Sequence, residues 1–206
     1  MSHGGPDDKP RRQMLIERLL QTFLRRYAEA EATAVAPFVV GQRLLDLGAG
    51  EGYVAAVLRD RAGVWTCAVD IGPFQRAAGA YVTYDGTHLP FGDATFDTTL
   101  ILFALHHCVR PEAVLDEAVR VTRSRLIVVE SVYGNGRERF WLEALDGRLN
   151  SYRHGGKMNS PLSFRRPQEW QQLFDSRRLR TIDVRRLGSW WERLVHHPLL
   201  FVLDKS

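Results

Sequence analysis

Apolar positions along this chain follow two rhythms. Leu15, Leu19, Phe23 and Tyr27 stand four residues apart beside Ile16, Leu20 and Leu24, the period of an amphipathic helix. That helix is expected over about residues 10–36, ending near Pro37. From residue 43 onward, short apolar runs alternate with helical periods. RLLDL (43–47), VWTCAVD (64–70), AYVTYD (80–85), FDTTLILFAL (96–105) and RLIVVESV (125–132) read as strands. VAAVLRDRA (54–62) and PEAVLDEAVRVT (111–122) read as helices, the second opened by Pro111. This alternation predicts an α/β fold, a parallel sheet with helices on both faces. After residue 133 the rhythm changes. A helix over about 136–149 leads into the polar stretch NSYRHGGKMNSP (150–161) and a short helix over 166–176. LRTIDVRRL (179–187) and PLLFVLD (198–204) follow, with SWWER between them. Two strands with no helix between them predict an antiparallel hairpin at the sheet edge.

Composition narrows the class without choosing a function. The chain has 206 residues, 45% hydrophobic and 25% charged, enough for one globular domain with a full core. No apolar run approaches the roughly 20 residues that span a bilayer, and the start, MSHGGPDDKPRRQ, lacks the apolar centre of a signal peptide. Cys67 and Cys108 stand far apart without ligand spacing, and His196 and His197 have no further ligands nearby. A cytoplasmic protein with reduced thiols and no metal is therefore expected. The net charge of +4 hides a split: residues 1–119 sum to −4 and residues 120–206 to +8. A basic half can serve an acidic partner, though a plain solvated surface is the ordinary reading.

The chemistry concentrates in LLDLGAGEGY (44–53). Gly48, Gly50 and Gly52 fall on a strand-to-helix turn, where glycine admits positive φ and lets backbone touch a ligand. Asp70 ends the next strand, placed to accept hydrogen bonds from ribose hydroxyls. Tyr53 occupies the last position of a GxGxxG dinucleotide fingerprint, and no GK[ST] follows, so neither of those nucleotide grips is present.

At this point the sequence resembles a family. LLDLGAGEGY is similar to the first motif of class I S-adenosylmethionine-dependent methyltransferases, and AVD (68–70) to the acidic end of their second strand. Residues 84–121, with LPFGDATFD, LHH and VLDEAVRV in order, resemble the small-molecule branch that includes the ubiquinone and menaquinone biosynthesis enzymes. The resemblance implies a Rossmann-like seven-stranded sheet, mostly parallel with an antiparallel last strand. It implies one methyltransferase domain: an N-terminal helix (10–36), a cofactor core (43–132), an acceptor cap or lid (133–176) and a C-terminal hairpin (177–206). It further implies that Asp46 with Gly48, Ala49, Gly50 and Gly52 holds the methionine end of S-adenosylmethionine. Asp70 would take the ribose and Ile71 the adenine face. Asp85, Gly86 and Thr87 would face the adenine amino group, and Phe103 and Ala104 would flank the methyl.

Three departures accompany the resemblance. The interval from Asp70 to Asp85 is shorter than usual in the family, predicting a stunted second crossover. Arg123, Ser124 and Arg125 replace the usual proline-glycine-glycine turn. No NPPY-like tetrapeptide follows the fourth strand, which counts against methylation of nucleobase amines. Asp97 is expected to be structural, pinning the start of the fourth strand.

Methyl transfer from a sulfonium requires alignment of an O, N or C nucleophile and removal of its proton where it has one. His107 in LHHC is the candidate base; its alternative is to cap the strand end. His106, Glu130, Tyr133, Asn135 and Tyr152 are candidates for the acceptor pocket. Residues 150–161 suit a lid or an ordinary surface loop. A small-molecule acceptor is expected; a nucleic acid gripped by the basic half is the alternative. The oligomeric state is not legible.

Overall fold

A computed structural model describes residues 11–153, 162–188 and 197–205, with the side chains of 11–13, 15, 17 and 147–153 outside the description. The elements run α1 (Arg11–Val35), β1 (Arg43–Leu47), α2 (Tyr53–Ala62), β2 (Trp65–Asp70), β3 (Ala80–Thr83) and β4 (Phe96–Leu102). Then come α3 (Pro111–Val121), β5 (Thr122–Ser131), α4 (Gly136–Arg153), α5 (Pro167–Asp175), β6 (Leu179–Arg186) and β7 (Pro198–Lys205). The seven strands form one sheet in the order β3-β2-β1-β4-β5-β7-β6. β1 to β5 pair in parallel, and β7 runs antiparallel to both β5 and β6.

Strand alternation sorts the core into two layers. Leu45, Leu47, Val69, Ile101, Leu126, Val128 and Phe201 face α3 and α5, where Leu115, Trp170 and Phe174 meet them. Their neighbours Leu44, Leu100, Ile127, Val129 and Val202 face α1 and α2, through Ala28, Ala32, Val35 and Leu58. Both faces are dry, which is why the central strands read as unbroken apolar runs rather than as alternating ones.

Differences from the expected elements have local causes. β4 stops at Leu102, because Phe103 turns to φ +52° and Leu105–His107 wind into a 3₁₀ turn. β5 begins earlier than expected, at Thr122, directly behind α3. No helix forms between β2 and β3, so the short crossover stays a loop. α4 continues to Arg153, so residues 150–153 of the expected lid are helix; residues 154–161 lie outside the described residues, as do Trp190, Trp191 and His196. In α1 the buried row runs through Ala28, Ala32 and Val35, while Leu19 and Phe23 are 63% and 64% exposed. Among the described residues no helix is long and apolar enough to cross a membrane.

Candidate functional site

The carboxyl ends of the parallel strands converge on the glycine turn. Gly48 N and Ala49 N both donate to the Val69 carbonyl, at 2.8 and 3.1 Å, bending the loop over β2. Gly48 has φ +78°, and a Cβ there would lie 2.4 Å from Ala104 Cβ. The β1 turn and the end of β4 therefore touch through a missing side chain. At Gly50, φ is +52° and a Cβ would meet nothing within 4 Å, so this glycine borders open space.

Asp70 braces the loop: its carboxylate accepts from Gly50 N and from Ile71 N, both at 2.7 Å. The Tyr81 hydroxyl reaches the carbonyls of Gly50 and Gly72 at 3.0 and 2.9 Å. Asp46 lies beneath, 2% exposed, accepting from Ala55 N at 3.2 Å in the first turn of α2. Burial, aided by the nearby Asp70 charge and opposed by the Ala55 hydrogen bond, pushes its pKa up to about 7. Ile71 is 54% exposed, and the position a Gly86 Cβ would take is 3.4 Å from Ile71 Cγ2. Past β3, Asp85 Oδ1 accepts from His88 N, Thr87 N and Thr87 Oγ1 at 2.7–2.9 Å. These bonds, His88 first, lower its pKa to about 2 and hold it ionised. Asp70, Ile71, Asp85, Gly86 and Thr87, from two different loops, thus form one corner.

At the end of β4, Phe103 donates its N–H to Val129 O at 2.7 Å, and its ring lies 6.4 Å from that of Tyr27 on α1. α1 also meets the glycine turn, since Tyr53 donates to Gln21 Oε1 at 2.6 Å. Helix α1 therefore borders the site, a part the sequence reading gave only to the chain after residue 133. Its signal was present in the row of apolar residues ending at Tyr27, which periodicity alone assigns to packing.

His106 is 1% exposed, and Glu130 is fully buried. Glu130 accepts from Leu105 N at 2.8 Å and meets His106 Nδ1 at 2.5 Å. Burial alone would lower the His106 pKa, but the charges of Glu130 and Asp146 outweigh it and raise it to about 9. His107 Nε2 lies 3.4 Å from Asp146 Oδ2. Phe164 stacks on His106 at 4.6 Å, and Ser163 N donates to the His106 carbonyl at 2.8 Å. Residues 162–165 thus return to the carboxyl edge. Asp146 and Phe164 escaped the sequence reading because each approaches the histidines from an element far along the chain, α4 for one and the segment before α5 for the other.

Two other pocket candidates make contacts of their own. Tyr133 packs with Leu142 and Phe164 and lines an open groove with Arg139, Arg165 and Glu169, to which the glycine turn contributes nothing. Asn135 is committed to α4: its Oδ1 accepts from Arg137 N and Glu138 N, both at 3.0 Å. Tyr152 sits in the last turn of α4 with its side chain outside the described set. Burial, with the Glu130 and Asp70 charges, pushes the Cys108 thiol up to about 12 and favours its protonated form.

Part of the charge split is paired across the fold. Arg120, Arg123, Arg165 and Arg177 pair with Glu117, Asp97, Glu112 and Asp116 of the acidic half. The two arginines at the replaced turn have structural work: Arg123 holds Asp97, and Arg125 holds Asp204. Asp97 also accepts from Gln42 N and Arg43 N, at 2.8 and 3.1 Å.

Comparison with known proteins finds likenesses to methyltransferases. Residues 45–129 match the family described as a methyltransferase domain. The demethylmenaquinone methyltransferase of Mycobacterium bovis (strain BCG / Pasteur 1173P2) is 40% identical over 112 residues, 51% of this chain and 46% of the relative. The enzyme of that name from Mycobacterium sp. (strain KMS) is 36% identical over 131 residues, 60% and 56% of the two chains. The chain spans about half the length of these curated relatives. Among solved structures, a geranyl diphosphate methyltransferase bound to GPP and sinefungin superposes with a TM-score of 0.68 at 15% identity, covering 86% of this chain and 77% of that one. A (4+2)-cyclase superposes equally well, TM-score 0.68 at 14% identity over 86% and 80%. Those two likenesses concern the fold alone.

Proposed function

Residues 45–129 match the methyltransferase-domain family, and from that match we propose that the chain is a member of it and transfers a methyl group from S-adenosylmethionine to a small-molecule O, N or C nucleophile. The observation that carries the proposal is the corner where Asp70 ties Gly50 to Ile71 and Ile71 meets the Gly86 turn, with Gly48 of the same glycine loop against Ala104. Open space at Gly50 receives the methionine end, and Asp46 acts from beneath by tying the turn to α2. Asp70 keeps the loop shaped and offers its remaining acceptor capacity to the ribose hydroxyls. Ile71 and the Asp85–Thr87 turn bracket the adenine. Phe103 and Ala104 bring the end of β4 to the methyl.

The donor's positive charge disappears as the carbon–sulfur bond breaks, so proximity and a dry, aligned approach provide most of the acceleration. His107 receives the acceptor's proton when there is one, with Asp146 holding the ring. The relatives' name supports a quinone-like acceptor class, and four of the basic half's arginines are already spent on acids of the other half rather than free for a nucleic acid. Calorimetry should show S-adenosylmethionine binding in the micromolar range, about −8 kcal/mol. Label from the methyl-tritiated cofactor should pass to a small-molecule pool and not to RNA. NAD binding in place of S-adenosylmethionine would defeat the reading. His107→Ala should cut turnover by roughly 10²–10⁴-fold while leaving cofactor affinity unchanged; a loss of only a few-fold would make His107 structural.

A further inference from the structure

We propose that His106, His107 and Asp146 form a binding site for one divalent transition-metal ion of the zinc class. One ligand atom from each residue lies within 4.8 Å of the other two. Asp146 Oδ2 is 3.4 Å from His107 Nε2 and 3.8 Å from His106 Nε2. Bonds of about 2.0–2.1 Å at tetrahedral angles place ligand atoms about 3.4 Å apart. The Asp146–His107 pair already has that spacing, the Asp146–His106 pair needs a few tenths of an ångström, and the two imidazole nitrogens lie within 4.8 Å of each other.

Two further observations point the same way. His106 Nε2 is buried and has no hydrogen-bond partner, although the residue is 1% exposed. A buried imidazole nitrogen without a partner is costly and asks for a ligand. On the opposite side of the ring, Glu130 stands 2.5 Å from Nδ1. A carboxylate holding Nδ1–H leaves Nε2 as the nitrogen turned toward a metal, which displaces the Nε2 proton on binding, the usual support behind a ligating histidine. Ser163 on the His106 carbonyl and Phe164 on its ring hold that orientation.

The electrostatics agree. Glu130 and Asp146 place two carboxylates around His106, a negative field that a divalent cation answers more fully than a single proton. Two imidazoles and one carboxylate suit Zn²⁺, Co²⁺, Ni²⁺ or Fe²⁺ rather than Mg²⁺ or Ca²⁺. The His107 and Asp146 side chains keep 20% and 24% of their surface exposed, while the ligand atoms His106 Nε2 and Asp146 Oδ2 are buried. A further coordination position then remains for water or an acceptor oxygen. A hydroxyl bound there would give up its proton to water more readily than a free one.

The site shares His107 and Asp146 with the base proposed above, and equilibrium metal binding tests it without reference to turnover. Tag-free protein titrated with CoCl₂ should take up one equivalent, developing the visible absorption of four- or five-coordinate cobalt, and ZnCl₂ should displace it. Asp146→Asn and His107→Ala should each weaken binding by about tenfold or more with unchanged far-UV circular dichroism. Only the spectrum of aqueous cobalt, or equal affinity in both variants, would overturn the site. S-adenosylmethionine titrated into the same samples separates the two readings. Cofactor binding without metal binding defeats only the metal site, and metal binding without cofactor binding defeats only the methyltransferase.

Discussion

Two glycines of the same turn make opposite demands. Gly48 needs room because Ala104 already stands where its Cβ would be, whereas Gly50 opens onto unoccupied space. Gly48→Ala should therefore act on stability, combining left-handed strain of about 1–2 kcal/mol with about 1–3 kcal/mol of overpacking. Gly50→Val should add no clash within the fold. It should cost about 1–2 kcal/mol of stability from its positive φ while abolishing cofactor binding, because its methyls enter the open side. Chemical denaturation and calorimetry on the two variants test this contrast. Unchanged affinity in a folded Gly50→Val protein would mean that the turn does not hold the cofactor. The three glycines were legible in sequence, but their division of labour was not, since Ala104 arrives from the far end of β4.

Among the elements, α1 divides along its length. Its second half anchors through Ala28, Ala32 and Val35 against Leu44, Leu58 and Leu100. Its first half carries exposed Leu19 and Phe23 and reaches Tyr53 through Gln21. Such a segment, loosely packed and bordering a site, suits a cover over bound ligand. Deleting residues 1–24 should leave the cooperative thermal transition in place while raising the acceptor KM by about tenfold. An unchanged KM would show that α1 is only scaffold. The helix was legible from its period, but which of its two apolar rows faces the core depended on where α2 and the sheet lay.

For the molecule as a whole, charge pairing joins the acidic and basic halves. Glu117 accepts from Arg120 and from Leu89 N, and Arg120 also reaches Asp93 and two carbonyls. The Arg120 bond first, with the Leu89 N–H, lowers the Glu117 pKa to about 2. A folded-state pKa below the unfolded one adds stability that is fully present above about pH 5 and is lost as pH falls toward 2. Glu117→Gln should therefore flatten the loss of stability in that window and lower stability at neutral pH. Urea unfolding at a series of pH values measures it, and a parallel slope in wild type and variant would remove Glu117 from the acid transition.

The local signals in this chain were those carried by chemistry within a few residues. Doubly buried strands require unbroken apolar runs, and a turn touching a ligand requires glycine. The consecutive hairpin strands require no helix between them. The seven strands and the antiparallel β7 were legible on those grounds, and the short Asp70–Asp85 interval was legible as a stunted crossover, which folds without a helix. Tertiary structure alone decided what depends on contacts across the chain. Arg123 answers Asp97, Asn135 spends its side chain on α4, and Asp146 is carried by α4 to a place beside two histidines that follow β4. A side chain's partner is set by the packing of whole helices against the sheet. No local pattern encodes which helix turn will stand opposite His106; the fold must close first.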